Sequence, residues 1–206
     1  MSYGYIVEGK SIRLRQVTRW GLTLYRAAMP PGNGIYRWHR ALMWRRLYRC
    51  GVRRCIMAPF WWAEAARFGV LPVEVISLRM ELLPRFLPDL TGKTVVLRAD
   101  SADRNVVCAA FLLARRARYV TLDVPRGGEA LRRELWRRCG LSGAGGAAAE
   151  TVDFTGEVPG AVSLAGGEAE YLLNGEPIPE QAAALLWQLR RVKKEDLLVK
   201  SPPRNA

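Results

Sequence analysis

The sequence contains few of the residues from which catalytic and metal sites are usually built. Histidine occurs once, at His39, within a segment rich in arginine. Neighbouring positive charge disfavours the imidazolium, and no acidic residue nearby in the sequence orients the ring, so His39 is a poor general base. The four cysteines form no C-x-x-C pair. This spacing argues against a zinc site and predicts reduced, buried thiols.

Long apolar runs are also missing. The longest candidate, residues 106–114, is far shorter than the ~20 residues that a membrane-spanning helix needs. The first ten residues lack a basic region followed by an apolar one, so no secretory signal is predicted. We therefore expect a soluble, cytoplasmic protein, and its 206 residues are enough to bury a full hydrophobic core.

Acidic residues are scarce in the N-terminal part of the chain. Residues 1–60 contain twelve Lys and Arg against Glu8 alone, which is +11 of the net charge of +13. The densest stretch, residues 36–55, contains seven arginines and no acid. Apolar residues recur there at helical spacing, while Arg45, Arg49 and Arg53 follow one another at intervals of four. The pattern predicts an amphipathic basic helix.

This basic helix has two interpretations. Its arginines could face an acidic protein, nucleic acid or anionic lipid. The residues of such a surface would be Arg37, Arg40, Arg45, Arg46, Arg49 and Arg53. Alternatively, because 27 of the 32 basic residues are arginine, arginine simply occupies any solvated helix face in this chain. Trp38, Trp44 and Tyr48 suit base stacking, but their spacing also suits a core-facing stripe, which we predict.

Strand and helix patterns alternate along most of the chain, which favours an α/β fold. We expect a three-layer Rossmann-like sandwich with a mostly parallel sheet. A period-two pattern in residues 11–17 predicts a short N-terminal β segment, and the turn dipeptide Asn174-Gly175 predicts a C-terminal antiparallel excursion. The expected organisation is an N-terminal β and loop segment, a Rossmann-like domain and a flexible tail, at residues 1–34, 35–200 and 201–206.

The loops after two predicted strands form a second candidate site, because ligands of doubly wound sheets bind at the carboxyl ends of strands. Loop 99–105 lacks the glycines that let a backbone approach a pyrophosphate, and Asp100 and Asp103 would repel a phosphate. We therefore expect Ser101 or Asp103 to cap the following helix. The candidate ligand-binding residues of the two loops are Asp100, Ser101, Asp103, Asp123, Arg126, Gly127 and Gly128.

The glycine pair Gly127-Gly128 stands before a predicted helix and next to Arg126, so its backbone amides are the most sensible place for an anion in these loops. No credible acid and base pair accompanies it. The sequence therefore assigns no catalytic residue, no metal ligand and no cofactor.

These patterns favour a non-catalytic protein that binds a partner through its Arg-rich N-terminal region. One alternative is a nucleotide- or sugar-phosphate-dependent enzyme with its site at loops 99–105 and 123–128. Another is direct nucleic-acid binding through the basic helix at residues 36–55.

Overall fold

The protein combines helices with parallel and antiparallel β-sheets, and the computed structural model describes residues 2–31, 36–87, 89–140 and 150–205. The chain divides into two compact units. Unit 1 comprises Met1–Val75 and Gln181–Arg191, and unit 2 comprises Ile76–Glu180 and Val192–Ala206. The domain limits expected at residues 34 and 200 stay predictions.

Unit 1 contains a five-stranded, mostly parallel sheet. Its elements are β1 (Ser2–Glu8), β2 (Arg13–Arg19), β3 (Leu22–Met29), α1 (Arg37–Arg49), β4 (Val52–Ile56), a 3₁₀ turn (Pro59–Trp61), α2 (Trp62–Ala66) and β5 (Leu71–Pro72). The strand order is β2-β3-β1-β4-β5. Only the pairing of β2 with β3 is antiparallel among these described strands.

A two-residue turn joins β2 to β3. Trp20 and Gly21 both have positive φ, 51° and 71°, as expected for a turn that matches the twist of the flanking strands. Because side chains alternate along a strand, Arg13, Arg15 and Arg19 lie on one face of β2. The prediction of a β segment from residues 11–17 is therefore confirmed.

The core of unit 1 lies between its sheet and α1. Met43, Trp44 and Leu47 are buried together with Ala27 and Met29 of β3. The three α1 residues are spaced by one, three and four positions, which places them on one side of a helix. Fully burying side chains of this size stabilises the fold by roughly 1.5–3 kcal/mol each, so this stripe determines which side of α1 faces the sheet.

Unit 2 contains two further sheets. Its elements are α3 (Ile76–Phe86), β6 (Thr94–Arg98), α4 (Arg104–Ala114), β7 (Tyr119–Asp123), α5 (Gly128–Cys139), β8 (Glu150–Asp153), β9 (Val162–Ser163), β10 (Glu170–Leu173), β11 (Glu176–Ile178), a 3₁₀ turn (Lys194–Asp196) and β12 (Leu197–Ser201). The last helix, α6 (Glu180–Gln188), has its first residue in unit 2 and the rest in unit 1.

The larger sheet of unit 2 has the order β7-β6-β8-β9, and all its strands are parallel. The smaller sheet, β11-β10-β12, is antiparallel. Asn174 and Gly175 join β10 to β11 with φ of 52° and 83°, so the predicted C-terminal antiparallel excursion is confirmed. The mixed α/β class is confirmed as well, although two mostly parallel sheets stand where we expected one.

The residues from 201 onward, for which a flexible tail is predicted, make specific hydrogen bonds. The Ser163 backbone N–H donates to the Pro203 carbonyl oxygen at 2.8 Å, and the Asn205 N–H donates to the Ala161 carbonyl oxygen at 3.2 Å. Arg204 forms an isolated β-bridge with Val162. Residues 203–205 are therefore hydrogen-bonded to the region around β9 of unit 2. None of the helices in the described ranges is long and apolar enough to cross a membrane.

Candidate functional site

The two strand-end loops of the sequence prediction lie side by side in unit 2. β6 and β7 are adjacent and parallel, with Arg98 opposite Asp123 at their carboxyl ends. The Ala99 N–H donates to the Asp123 carbonyl oxygen at 3.1 Å, and the Ala102 N–H donates to the Arg126 carbonyl oxygen at 2.8 Å. The pairing of the strands thus continues into the loops.

Arg126 and Ser101 take part in this pairing. They form an isolated parallel bridge, and Arg126 Nε donates to the Asp100 carbonyl oxygen at 3.2 Å. The guanidinium therefore holds the first loop against the second. Asp100 itself has an exposed side chain.

Asp103 caps α4, which is one of the two outcomes that the sequence analysis predicted. Its Oδ1 accepts hydrogen bonds from the backbone N–H groups of Asn105 at 2.8 Å and Val106 at 3.0 Å. These are donors that the first turn of a helix leaves without an intrahelical partner. The carboxylate is thereby committed to the helix end, and Ser101 is not the cap.

The glycine pair at the start of α5 has a packing explanation. Gly127 has φ of 84°, and a Cβ there would lie 3.1 Å from the Ala102 Cβ. A Cβ on Gly128 would lie 3.1 Å from the Val124 Cβ. Backbone conformation and a close neighbour therefore favour glycine at Gly127, and a close neighbour alone favours it at Gly128, without reference to an anion.

Exposed charges gather at the same edge of the sheet. Arg98 Nε lies 3.7 Å from Asp123 Oδ2, and Arg98 Nη2 lies 3.5 Å from Glu157 Oε2. Ion pairs as exposed as these contribute little stability. Glu157 was not predicted, although it follows β8, the other neighbour of β6, and so shares the strand-end position. Across the described ranges, no three His, Cys, Asp or Glu side chains come together as ligands for a metal ion.

Asp153, at the end of β8, is a buried carboxylate that the sequence analysis missed. Its Oδ1 accepts from the Thr155 N–H at 2.8 Å and the Thr155 hydroxyl at 2.7 Å. Its Oδ2 accepts from the Val158 N–H at 3.0 Å and from Asn205 Nδ2 at 2.7 Å. Burial acts to raise the pKa of Asp153, but these four donors outweigh it and lower that pKa below its usual value. The group anchors the loop and the chain end.

Arg79 of α3 is the second buried charge of unit 2 and was also missed. Only 2% of the residue is exposed. Its Nε donates to Glu180 Oε1 at 2.7 Å, a second bond joins Nη2 to Glu180 Oε2, and Nη2 also donates to the Gly167 carbonyl oxygen at 2.9 Å. Tyr171 donates to the same carboxylate at 3.3 Å, and burial followed by the charge of Glu180 raises the pKa of Tyr171. This network connects α3 with the loop after β9.

The Arg-rich segment of unit 1 separates into exposed and internal arginines. Arg37, Arg45, Arg46 and Arg49 are exposed on α1. Arg40, which was predicted to belong to the exposed surface, is buried. It is 3% exposed, and its Nε lies 3.1 Å from both carboxylate oxygens of Glu64.

The side chain of Arg53, in β4, contacts Tyr48 of the same unit. Its guanidinium lies 3.5 Å from the centre of the Tyr48 ring, and Nη1 donates to the Tyr48 carbonyl oxygen at 2.7 Å. The candidate surface of the sequence prediction is therefore reduced from six arginines to the four exposed ones on α1.

The exposed side of α1 carries apolar residues among its arginines. Trp38 is 67% exposed and Leu42 is 41% exposed. At 3.6 residues per turn, these two residues fall with Arg45 and Arg49 within about 60° of the helix circumference. We call Trp38, Leu42, Arg45 and Arg49, with Arg37 and Arg46 beside them, the α1 cationic face.

The prediction of a core-facing aromatic stripe is correct for Trp44 and wrong for two other residues. Trp44 is fully buried and donates from Nε1 to Glu64 at 3.3 Å. Trp38 and Tyr48 are exposed, because Trp38 lies on the side of the helix opposite Leu47 and Tyr48, four residues after Trp44, lies at the edge of the buried side. Trp38 makes an edge contact with His39, with ring centres 5.3 Å apart.

The arginines of the α1 cationic face lack internal counter-charges. Within the described residues, no carboxylate lies within ion-pair distance of Arg37, Arg45, Arg46 or Arg49. Unit 1 contains fifteen Lys and Arg against three Glu, which gives it a net charge of +12. One of those glutamates, Glu64, is already bonded to the buried Arg40.

The cysteines do not form a reactive site. All four are free thiols, and burial raises the pKa of Cys55 to about 12, so that it stays a neutral, inert thiol. The expectation that all four are buried is correct for Cys55 only, because Cys50 and Cys139 are half-buried and Cys108 is exposed. Comparison of the chain with known protein families, with curated proteins and with solved structures found no match.

Proposed function

We propose that this chain is a non-catalytic binding protein whose α1 cationic face holds single-stranded nucleic acid. The observation that carries the proposal is the composition of that face, in which Trp38 and Leu42 lie exposed in line with Arg45 and Arg49. Arginine alone would be compatible with an ordinary solvated helix. A large exposed indole on the same side of the helix as Arg45 and Arg49 is typical of a binding surface.

Electrostatics supports a polyanionic partner. The +12 of unit 1 attracts phosphates over distances comparable with the Debye length, and four arginines of the face have no carboxylate to displace among the described residues. Arg46 and Arg49 also lie in the last turn of α1, where the helix dipole favours positive charge. The dipole accounts for two of the four arginines and leaves Arg37 and Arg45 to be explained by binding.

The aromatic component favours nucleic acid over an acidic peptide. A peptide carboxylate would pair with the arginines but would leave the Trp38 ring uncovered, whereas an unpaired base stacks on such a ring. Stacking of one base contributes roughly 1–3 kcal/mol. The combination of stacking and phosphate contacts is therefore the use that employs the whole face.

The test is fluorescence anisotropy with a labelled single-stranded DNA 20-mer between 50 and 200 mM NaCl. Four phosphate contacts predict a log–log salt slope of about −3, which is a loss of affinity of about 50-fold over this range. The double charge reversal R45E/R49E should abolish binding, and Trp38→Ala should weaken it by about tenfold, while circular dichroism shows that both variants stay folded.

The matched control is R132E/R133E, which makes the same change of net charge on α5 of unit 2. It should leave binding near the wild-type level, apart from a small general effect of net charge. Equal loss in both double variants, or binding to polyglutamate or anionic vesicles but not to DNA, would contradict the proposal.

A nucleotide- or sugar-phosphate-dependent enzyme is the second candidate. We take the finer description of unit 2 as Rossmann-like, and with it a three-layer arrangement, as part of this proposal. The order β7-β6-β8-β9 supports it, because the strand order reverses beside β6, where loop 99–105 begins. It ranks second because capping and packing already account for Asp103, Gly127 and Gly128. A nucleotide that raises Tm in the wild type but not in Asp123→Ala would move it to first place.

A further inference from the structure

We propose that Arg13 and Arg15 of β2 and Arg26 of β3 form a binding site for the phosphate group of a small phosphate ester. We call these three residues the hairpin arginine cluster. Together with Leu14 they line a surface depression of about 390 Å³. The inference does not rest on the proposed function, because the cluster lies on the sheet face opposite the one that α1 covers.

The register of the hairpin establishes that face. Arg15 pairs directly with Arg26 across the antiparallel strands, and Arg13 lies two residues along β2 on the same side. Arg26 is followed by Ala27, which is buried with the α1 residues, so Arg26 lies on the other face. Directly opposed residues of an antiparallel pair have Cβ atoms about 5 Å apart, and like charges at that spacing repel.

In the part of the chain that the structure describes, no group relieves the repulsion. Among the described residues, none is recorded within hydrogen-bond or ion-pair distance of the Arg13, Arg15 or Arg26 guanidinium groups. Other arginines of the same sheet do have partners: Arg19 donates to the Tyr5 hydroxyl at 2.9 Å, and Arg54 donates to the Pro72 carbonyl oxygen at 3.1 Å. The cluster is therefore an exception within its own sheet.

Protection of a sheet edge explains only part of the cluster. β2 is one of the two edge strands of the sheet, and charged side chains on edge strands prevent pairing with other chains. Arg26, however, lies on β3, which has β2 on one side and β1 on the other. It is only partly exposed, so its charge is less screened by water than those of Arg13 and Arg15. An external anion bound between them would explain why an arginine of an interior strand lies opposite another arginine.

Phosphate fits this arrangement better than a carboxylate. Each guanidinium can donate two parallel hydrogen bonds to a phosphate, and three positive charges exceed what one carboxylate can neutralise. The depression is within the size range of small-molecule sites. A phosphate monoester dianion would bridge Arg15 and Arg26 and remove their repulsion.

The experiment measures thermal unfolding of the full chain in increasing inorganic phosphate, with NaCl adjusted to keep the ionic strength constant. At a phosphate concentration ten times Kd, wild-type Tm should rise by about 3–6 °C. In Arg26→Gln, phosphate should bind about tenfold more weakly or worse. Without phosphate, Arg26→Gln should unfold about 1–4 °C higher than the wild type, because the repulsion is gone.

Arg45→Gln is the matched control, since it removes one arginine of unit 1 from the α1 cationic face. It should keep the full phosphate-dependent rise and show no increase in Tm without phosphate. Arg15→Gln should reproduce Arg26→Gln, which guards against a local folding defect in one variant. The inference is overturned by no phosphate-dependent rise in the wild type, by an equal rise in Arg26→Gln, or by a lower Tm of Arg26→Gln that Arg26→Lys restores.

Discussion

The two units have similar numbers of basic residues, fifteen in unit 1 and seventeen in unit 2, but three acidic residues in unit 1 and sixteen in unit 2. In unit 2 the acids are used internally, since Glu180, Glu157, Glu134, Glu81 and other carboxylates pair with neighbouring arginines and lysines. In unit 1, the buried Arg40 pairs with Glu64 in the same way, but most other arginines face solvent.

This comparison separates two uses of arginine within one chain. An arginine that is buried with a carboxylate stabilises one arrangement of elements, because breaking the pair would leave a buried charge. An arginine without an internal carboxylate contributes little to folding and is available to an external anion. The composition of the whole chain, at +13, conceals that unit 1 accounts for +12 of it. Substitutions that exchange the two uses test the distinction.

The largest effect is expected for Arg79→Met in unit 2. The substitution removes the donors to Glu180 and to the Gly166 and Gly167 carbonyl oxygens and leaves a carboxylate that is 9% exposed without its cation. The free energy of unfolding should fall by about 3–5 kcal/mol. Urea denaturation followed by circular dichroism measures it. Arg132→Met, which breaks an exposed pair on α5, is the control, and an equally small change in both variants would refute the structural role of Arg79.

A smaller effect is expected for Arg40→Met in unit 1. The side chain of its partner Glu64 is 24% exposed, so the loss should be about 2–3 kcal/mol, less than for Arg79. Arg45→Met on the same helix should change stability little and weaken DNA binding instead. The two variants thus separate the internal from the external arginine. Urea denaturation and anisotropy on both give the result, and a loss of stability in Arg45→Met as large as in Arg40→Met would remove the distinction.

Asp153→Asn should have a pH-dependent effect. The pKa of Asp153 is held below its ordinary value of 3.8, so its charged form stabilises the fold at pH above 3.8 and that contribution is lost as pH falls through the lowered pKa. At pH 7 the variant should lose about 1–3 kcal/mol, because an amide turns its NH₂ toward groups that are all donors. At pH near 2 the difference from wild type should shrink. Urea denaturation at both values measures it, and a pH-independent difference would show that the charge is not responsible.

Local turn chemistry was predictable because it depends on adjacent residues. Asn174-Gly175 adopts the positive φ values that its turn requires, and Asp103 caps α4 with a side-chain oxygen only two and three residues from its donors. Such interactions are complete within a few residues of chain. They do not depend on how the rest of the protein folds.

The environment of the aromatic and charged residues of α1 was less predictable. Helical spacing shows that Trp38 and Trp44 lie on different sides of the helix, but both sides contain apolar residues and arginines. Because Arg40 is buried, α1 cannot be divided simply into an apolar side and a basic side. The burial of Arg40 depends on Glu64, which is 24 residues away in the chain. A partner so distant leaves no periodic signal in the helix itself.

For the strand-end loops, the sequence predicted which residues lie together but not what each of them does. Their residues were correctly grouped, because the carboxyl ends of neighbouring parallel strands meet at one edge. Their roles followed from contacts between the loops, such as Ala102 against Gly127, which no local pattern encodes. Arg79, Glu180, Asp153 and Asn205 went unnoticed because each is joined to a partner far away in the chain.

The sequence by itself determined the α/β class, the helices and strands with strong periodicity, the tight turns, and the concentration of positive charge before residue 60. These depend on spacing, on turn residues and on counting charges. Only the tertiary structure decided the number of sheets, which arginines are buried, and which are left without a carboxylate on α1 and on the β2–β3 hairpin. The physical reason is that burial and charge pairing are properties of neighbours in space, and here those neighbours lie tens of residues apart in the chain.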